Sequence, residues 1–143
     1  MNWKLILQLS MIGLAMAAGT VFLIPSHLEA GVWLAIFILC AYWIGSRCRT
    51  HRFAHGVLVG LASSVWITIV HILFEERYLA GHPRESGIVS DLHAAGFNAS
   101  ATTIICITGP LSCLMFGIVI GVFAVVAGLM MKPDPAKSGP IID

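Results

Sequence analysis

The chain has 143 residues, a length typical of one domain, and 58% of them are apolar while only 10% are charged. Soluble domains carry about 25% charged residues, so this composition excludes an ordinary water-soluble domain and indicates a chain that has lipid as its solvent. The formal net charge is +1, which leaves no basic surface to neutralise phosphates, and we therefore expect no nucleic-acid partner.

The first predicted element is a transmembrane helix over 5–24, because about 20 apolar residues cross the ~30 Å of hydrocarbon in a bilayer. The same segment resembles a secretory signal, since Lys4 precedes an apolar core and Ala15–Ala17 has the small residues of a cleavage site. The apolar run continues beyond that triplet to Ile24. We therefore expect a retained span.

The second span is predicted over 27–46. Its start carries the pattern S-H-L-E from Ser26 to Glu29, which is typical of a capping box, where both end side chains bond free backbone N–H groups. The helix is rich in aromatic residues and poor in small ones. Such a helix is expected to face lipid or another subunit.

The third span is predicted as one helix over 53–80. Its apolar part runs from Phe53 to Phe74, and helix-favouring residues continue as far as Gly81, with Pro83 as the stop signal. The fourth span is predicted over 103–131, and it is longer than one crossing requires. Both helices are therefore expected to extend beyond the outer membrane surface.

The fourth span has two local signals. Ser100 is expected to cap its start, and Gly109-Pro110 predicts a kink or a restart because proline removes a backbone N–H. Residues 132–143 are rich in Pro, Gly and charge, which predicts a flexible cytoplasmic tail after a transmembrane domain over 1–131.

Lys and Arg near the span ends predict the orientation, because cytoplasmic loops retain them. Six of the eight fall on the side of the two chain ends and the second connection: Lys4, Arg47, Arg49, Arg52, Lys132 and Lys137. His51 and His55 lie beside these arginines and are expected to contact anionic lipid. The sequence thus predicts an all-α, four-transmembrane-helix bundle of the plasma membrane, of bacterial inner-membrane type, with both termini cytoplasmic.

Small residues recur on one face of three spans. Because helices in lipid associate by close backbone approach, such faces predict helix packing. The residues concerned are Gly13 and Ala17 in the first span, Gly56, Gly60 and Ser64 in the third, and Gly117, Gly121 and Gly128 in the fourth. They are expected to pack within the bundle, or alternatively against a second copy or a partner subunit.

Ionisable residues collect near the outer end of the third span. This outer polar cluster consists of His71, Glu75, Glu76, His82 and His93. Nitrogen and carboxylate ligands suit Zn²⁺, whereas a histidine near a membrane surface can also simply reach water. The candidate metal ligands are His27, His71 and Glu75, and a haem between His27 and His71 is a further alternative. No cofactor is otherwise expected.

Function is the least constrained prediction. The spans carry no charged residue at mid-depth and the chain has no catalytic motif. We therefore expect a non-enzymatic scaffold or accessory subunit that packs against its partners through the Gly-rich helix faces and the outer loop. These partners are the lipid bilayer and other membrane subunits or copies of the chain itself. One alternative is an outward-facing metal or haem site around His71 and Glu75. Another is an oligomeric channel or carrier for a small neutral solute, lined by Ser64, Thr68 and Thr108.

Overall fold

The computed structural model describes residues 1–131, which are helical throughout apart from short connections and contain no strand within that range. The helices are α1 (Trp3–Phe22), α2 (Ser26–Arg47), α3 (Arg52–Leu73), α4 (Glu75–Gly81), α5 (Pro83–Ala94) and α6 (Ala101–Met130). Of these, α1, α2, α3 and α6 are long and apolar enough to cross a membrane. The tail predicted over 132–143 lies outside the described residues.

The first and third helices run side by side in the same direction. At one end of α1 the backbone of Asn2 bonds the ring of His55, and at the other end Thr20 faces His71. Since numbering rises in the same sense along both helices, α1 and α3 are parallel. Their two ends therefore lie at the same two ends of the bundle.

The sixth helix runs antiparallel to α3. Gly56 lies against Gly121, and one turn further along α3, Gly60 lies against Gly117. The backbones approach so closely there because neither helix carries a side chain at the contact.

The second helix packs on α6 and runs parallel to it. Near the start of α2 the Trp33 ring lies 5.1 Å from the Phe116 ring, and near its end Gly45 lies beside Gly128. The four long helices therefore alternate in direction along the chain. The amino terminus, the α2–α3 turn and the end of α6 share one end of the bundle, named here the arginine end for Arg47, Arg49 and Arg52.

The core corrects the prediction for the second span. Instead of facing only lipid or another subunit, α2 buries one face against residues of α1, α3 and α6. The buried α2 side chains are Phe37, Cys40, Ala41 and Ile44. Its opposite face keeps Leu34, Ile38 and Tyr42 exposed, so the helix has one core face and one apolar outer face.

The prediction of a single third helix over 53–80 is wrong. The chain breaks at Phe74, with φ −121° and ψ 33°, and α4 begins at Glu75. Residues seven apart in a continuous helix are about 10 Å apart along its axis, yet the rings of His71 and Tyr78 lie 3.9 Å apart. Stacking of these rings requires the chain to fold back, and this contact prevails over the local helix signals.

Two of the predicted helix ends differ from the structure. The capping box at Ser26 does not form: α2 begins after Pro25 with no side-chain cap, and Glu29 uses its carboxylate elsewhere. Of the kink or restart predicted at Gly109-Pro110, the restart is absent, since α6 continues through Pro110. The cap at Ser100 is confirmed, because its hydroxyl oxygen accepts a 3.1 Å hydrogen bond from the Thr103 amide.

Candidate functional site

Three stacked rings lie at the end of the bundle opposite the arginine end. Tyr78 of α4 lies between His71 of α3 and His82, which separates α4 from α5. The ring centroids are 3.9 Å apart for His71 and Tyr78 and 4.4 Å apart for Tyr78 and His82. His82 is only 1% exposed. We call this group the ring stack.

The imidazole of His82 has one hydrogen bond and one close carboxylate. Its Nδ1–H donates a 2.8 Å hydrogen bond to the Tyr78 carbonyl oxygen, which can only accept. Its Nε2 lies 3.3 Å from Oε2 of Glu29, although it makes no well-directed hydrogen bond within residues 1–131. The other carboxylate oxygen of Glu29 accepts a 3.1 Å hydrogen bond from the Trp33 indole N–H.

The opposite ring of the stack is anchored to α1. Nε2 of His71 lies 3.3 Å from the hydroxyl oxygen of Thr20. That hydroxyl donates its own hydrogen to the Ala17 carbonyl at 2.9 Å, so its oxygen is free to accept. His71 therefore donates from Nε2–H to Thr20, and the ring stack joins α1, α3 and α4.

The phenol of Tyr78 is shielded from water and surrounded by negative charge. Burial raises the pKa of Tyr78, and the carboxylates of Glu85 and Glu29 raise it further. Each of these effects disfavours the phenolate. Tyr78 is therefore a neutral ring that separates the two histidines over the whole physiological pH range.

The outer polar cluster predicted from the sequence is divided in the structure. His71 and His82 meet through Tyr78, whereas Glu75 accepts a 2.6 Å hydrogen bond from the Thr102 hydroxyl at the start of α6. Glu76 is exposed. His93 is also exposed, and its Nε2–H donates to the Ala99 carbonyl at 2.7 Å. Glu75 and His93 thus make contacts that are separate from those of His71 and His82.

The candidate metal ligands do not come together. His27 is exposed in the first turn of α2, His71 belongs to the ring stack, and Glu75 is bonded to Thr102. Across the part of the chain that the structure describes, no three side chains of His, Cys, Asp or Glu are grouped so that they could hold a metal ion. Metal or haem binding stays a hypothesis.

The ring stack and its partners include residues that sequence reasoning does not select. Glu29 fits a capping pattern, and Trp33 and Tyr78 belong to no motif. The signal is present in the spacing: Glu29 and Trp33 are four residues apart, as are Tyr78 and His82, so each pair shares one helix face. What the spacing does not reveal is that the two pairs meet.

The predicted packing glycines of the third and fourth spans lie at the α3–α6 contact. A Cβ at Gly60 would come within 2.5 Å of the Gly117 Cα, and a Cβ at Gly56 would overlap the backbone of Gly121. No larger residue fits at these positions unless the helices separate. This face is therefore occupied within the chain.

The remaining predicted packing residues are buried at other contacts. Gly13 of α1 lies so close to Ser63 that a Cβ added at Gly13 would be 2.7 Å from the Ser63 Cβ, and Gly128 lies against the Arg52 side chain. Ala17 is 1% exposed in a cluster that includes Tyr78. The Ser64 hydroxyl donates to the Leu61 carbonyl at 2.7 Å.

The residues proposed to line a solute pathway make contacts within the bundle. The Thr68 hydroxyl lies against Gly109, whereas Thr108 bonds its own helix at Ile104. A cavity of about 20 Å³ lies between the helices, with walls that include Phe37, Val59 and Phe116. That volume holds about one water molecule.

Fold and site together define a class: an all-helical chain with four apolar helices of membrane-spanning length and a buried stack of aromatic rings at one end of the bundle. Comparison of the chain with protein-family models, curated proteins and solved structures finds no match.

Proposed function

We propose that the chain is a non-enzymatic accessory subunit of a membrane complex, and that it docks its partner through the segment 83–97. In this proposal the bundle crosses the plasma membrane, of bacterial inner-membrane type, and the arginine end with both termini lies in the cytoplasm. The segment 83–97 lies outside and includes α5.

The observation that carries the proposal is that α5 has no buried residue. An isolated helix of 12 residues is marginal in water, and most helices in proteins are stabilised by packing of an apolar face. Ile88 is 42% exposed and Phe97 is 64% exposed. The rest of the chain covers little of α5. This favours a partner whose surface covers Ile88 and Phe97.

The glycine-rich faces of α3 and α6 are occupied within the bundle. Partner contact through these faces would require the bundle to open. The outer segment and the apolar outer sides of the long helices are the surfaces that stay free for partners and lipid. Of the two partner contacts expected from the sequence, the glycine faces and the outer loop, we therefore propose the outer loop, at the segment 83–97.

The distribution of charge supports the orientation. Arg47 and Arg49 are exposed at the arginine end, and cytoplasmic loops retain arginine. The opposite end carries two arginines together with five acidic residues: Arg77 and Arg84 with Glu29, Glu75, Glu76, Glu85 and Asp91. Lys132 and Lys137, also predicted to be inside, lie beyond the residues that the structure describes.

Partner binding is tested by purification of the full chain from its native membrane in a mild detergent, followed by native mass spectrometry. We expect a companion chain or a second copy in the native protein. Ile88→Asp together with Phe97→Asp should abolish this association, whereas the control Ser90→Asp, at an exposed polar position on α5, should keep it. A native chain that is monomeric under every extraction condition would contradict the proposal.

Orientation is tested separately by labelling intact cells with a membrane-impermeant maleimide. A cysteine that replaces Ser90 should react from outside. One that replaces Arg49 should react only after the cells are permeabilised, and the native chain measures the background from its four cysteines. The reverse pattern would invert the proposed topology.

A further inference from the structure

Glu29 and His82 join two segments that are far apart in the chain. Glu29 lies in the first turn of α2, and His82 lies at the junction of α4 and α5. The carboxylate is 23% exposed and the imidazole 1% exposed, with 3.3 Å between Oε2 and Nε2. Besides the ring stack, this pair is the polar contact that fastens the α4–α5 segment to α2.

The hydrogen bond at Nδ1 determines what the other nitrogen can do. Because Nδ1 must carry a hydrogen to donate to the Tyr78 carbonyl, a neutral His82 has only a lone pair at Nε2. That lone pair would then lie 3.3 Å from the carboxylate oxygen of Glu29, and two acceptors at this distance repel each other. A proton on Nε2 changes the same contact into an ion pair between an imidazolium and a carboxylate.

We propose that Glu29 and His82 form a proton-binding site, and that the bound proton holds the α4–α5 segment against the bundle. When the proton is present, the imidazolium of His82 pairs with the carboxylate of Glu29. When it leaves as the pH rises, the pair becomes repulsive and the segment is released. The site thus couples the pH outside the cell to the exposure of the surface around α5. This coupling rests on the proposed function, in which that segment lies outside.

Two contacts of the pair stabilise the imidazolium of His82 when the proton is bound. The Tyr78 ring lies against the His82 ring, where its electron-rich face attracts a cation. The Trp33 indole N–H holds the carboxylate of Glu29 in position. The imidazolium therefore has an ion-pair partner on one side and an aromatic face on another.

Two further titratable groups affect the site. Glu85 of α5 lies close enough to add negative charge at Tyr78, which also favours a cation at His82. His71 of α3 lies across Tyr78, where a charge on its ring would oppose that cation, and its Nε2–H bonds Thr20. Glu29 and Glu85 therefore act in the same direction.

The test measures backbone amide exchange by mass spectrometry on the full chain in lipid nanodiscs, from about pH 6 to about pH 8.5, the range in which histidine titrates. After correction for the intrinsic pH dependence of exchange, we expect protection of residues 75–86 to fall by up to about tenfold per pH unit once the pH is high enough for the proton of the pair to leave. Protection of residues 56–64 within α3 should stay constant, because Gly56 and Gly60 contact the backbone of α6.

Glu29→Gln is the diagnostic variant. A glutamine amide can donate to a neutral His82 or accept from a protonated one, so the segment should stay protected with little pH dependence. His93→Gln is the matched control, because His93 lies in the same segment outside the pair, and it should behave as the native chain does. Loss of the pH response in His93→Gln but not in Glu29→Gln would overturn the proposal.

Nitrogen NMR of ¹⁵N-labelled histidine reads the proton directly in the native chain. At about pH 6 we expect both nitrogens of His82 to carry hydrogen, with the resonance assigned by its loss in His82→Gln. A neutral His82 at that pH, or protection of 75–86 that does not change with pH, would overturn the proposal. Both measurements are made on the native fold and need no partner, so their outcome is independent of whether the chain is an accessory subunit.

Discussion

The backbone amide of Asn2 donates a 3.0 Å hydrogen bond to Nε2 of His55, which fastens the first residues of the chain to α3. Nδ1–H of the same ring donates to the His51 carbonyl at 2.8 Å. His55 is only 3% exposed. It therefore contacts the chain's own backbone and does not reach anionic lipid, in contrast to the prediction from the sequence. His51, the other histidine of that prediction, is exposed.

Replacement of His55 by Phe should destabilise the bundle at the arginine end. The aromatic volume is kept, but the Asn2 amide loses its acceptor, and an unpaired buried polar group costs about 1–3 kcal/mol. Denaturant-induced unfolding in detergent measures the change. His51→Asn is the control, because asparagine tolerates the left-handed conformation found there, with φ 55°. Equal free energies of unfolding for the two variants would contradict the prediction.

Replacement of Gly60 by Ala should separate α3 from α6. The added Cβ would meet the Gly117 backbone within 2.5 Å, and overpacking of this kind costs about 1–3 kcal/mol. The matched control is Gly31→Ala in α2, where a Cβ meets nothing within 4 Å and alanine favours the helix by up to about 1 kcal/mol. Opposite signs are expected in the same unfolding experiment, and a loss of stability in both variants would argue against a specific contact.

Gly60 illustrates how much of the fold can be predicted from the sequence. Gly60 can be assigned to a packing face from its spacing to Gly56 and Ser64, because that spacing is a property of one helix. Its partner cannot be identified in the same way, since α1, α3 and α6 all carry small-residue faces. The choice of α6 is made by the tertiary fold, in which the backbones of Gly60 and Gly117 meet.

The ring stack and its contact with Glu29 are still harder to predict from the sequence. Helix signals continue through Phe74 in the sequence, and only the stacking of Tyr78 on His71 explains why the helix ends there. Glu29 fits a capping pattern with Ser26, but its carboxylate is used by Trp33 and His82. Local rules look for a partner within one or two turns, whereas His82 comes from a distant segment.

Thr68 provides a test of both packing and transport. Its hydroxyl oxygen is buried and has no hydrogen-bond partner within residues 1–131, so Thr68→Val should leave the free energy of unfolding unchanged or raise it. Thr20→Val, by contrast, removes the acceptor for His71 and should lower it by about 0.5–1.5 kcal/mol. A large loss of stability in Thr68→Val would reveal a partner for its hydroxyl.

Reduced solute flux into proteoliposomes with Thr68→Val would instead support the channel hypothesis.

Ionisation of Tyr78 should depend on Glu85. Burial, Glu85 and Glu29 all raise the pKa of Tyr78, so the folded state keeps the neutral phenol at a pH where the unfolded chain has lost its proton. The resulting stability is fully present below about pH 10, the value for free tyrosine, and is lost as the pH rises through the higher folded value. An ultraviolet absorbance titration follows the phenolate, and Tyr78→Phe identifies the part of the signal that comes from this residue.

Glu85→Gln should shift that part of the titration to lower pH, because it removes one of the negative charges that disfavour the phenolate. Glu76→Gln is the control, since Glu76 is exposed on α4 and should leave the midpoint of Tyr78 unchanged. Glu29→Gln should act in the same direction as Glu85→Gln but by less, because its carboxylate has the smaller effect on Tyr78. If the midpoint moves equally in Glu76→Gln and Glu85→Gln, the charge acts through the general field of the segment and not through the packing of α5 beside the ring stack.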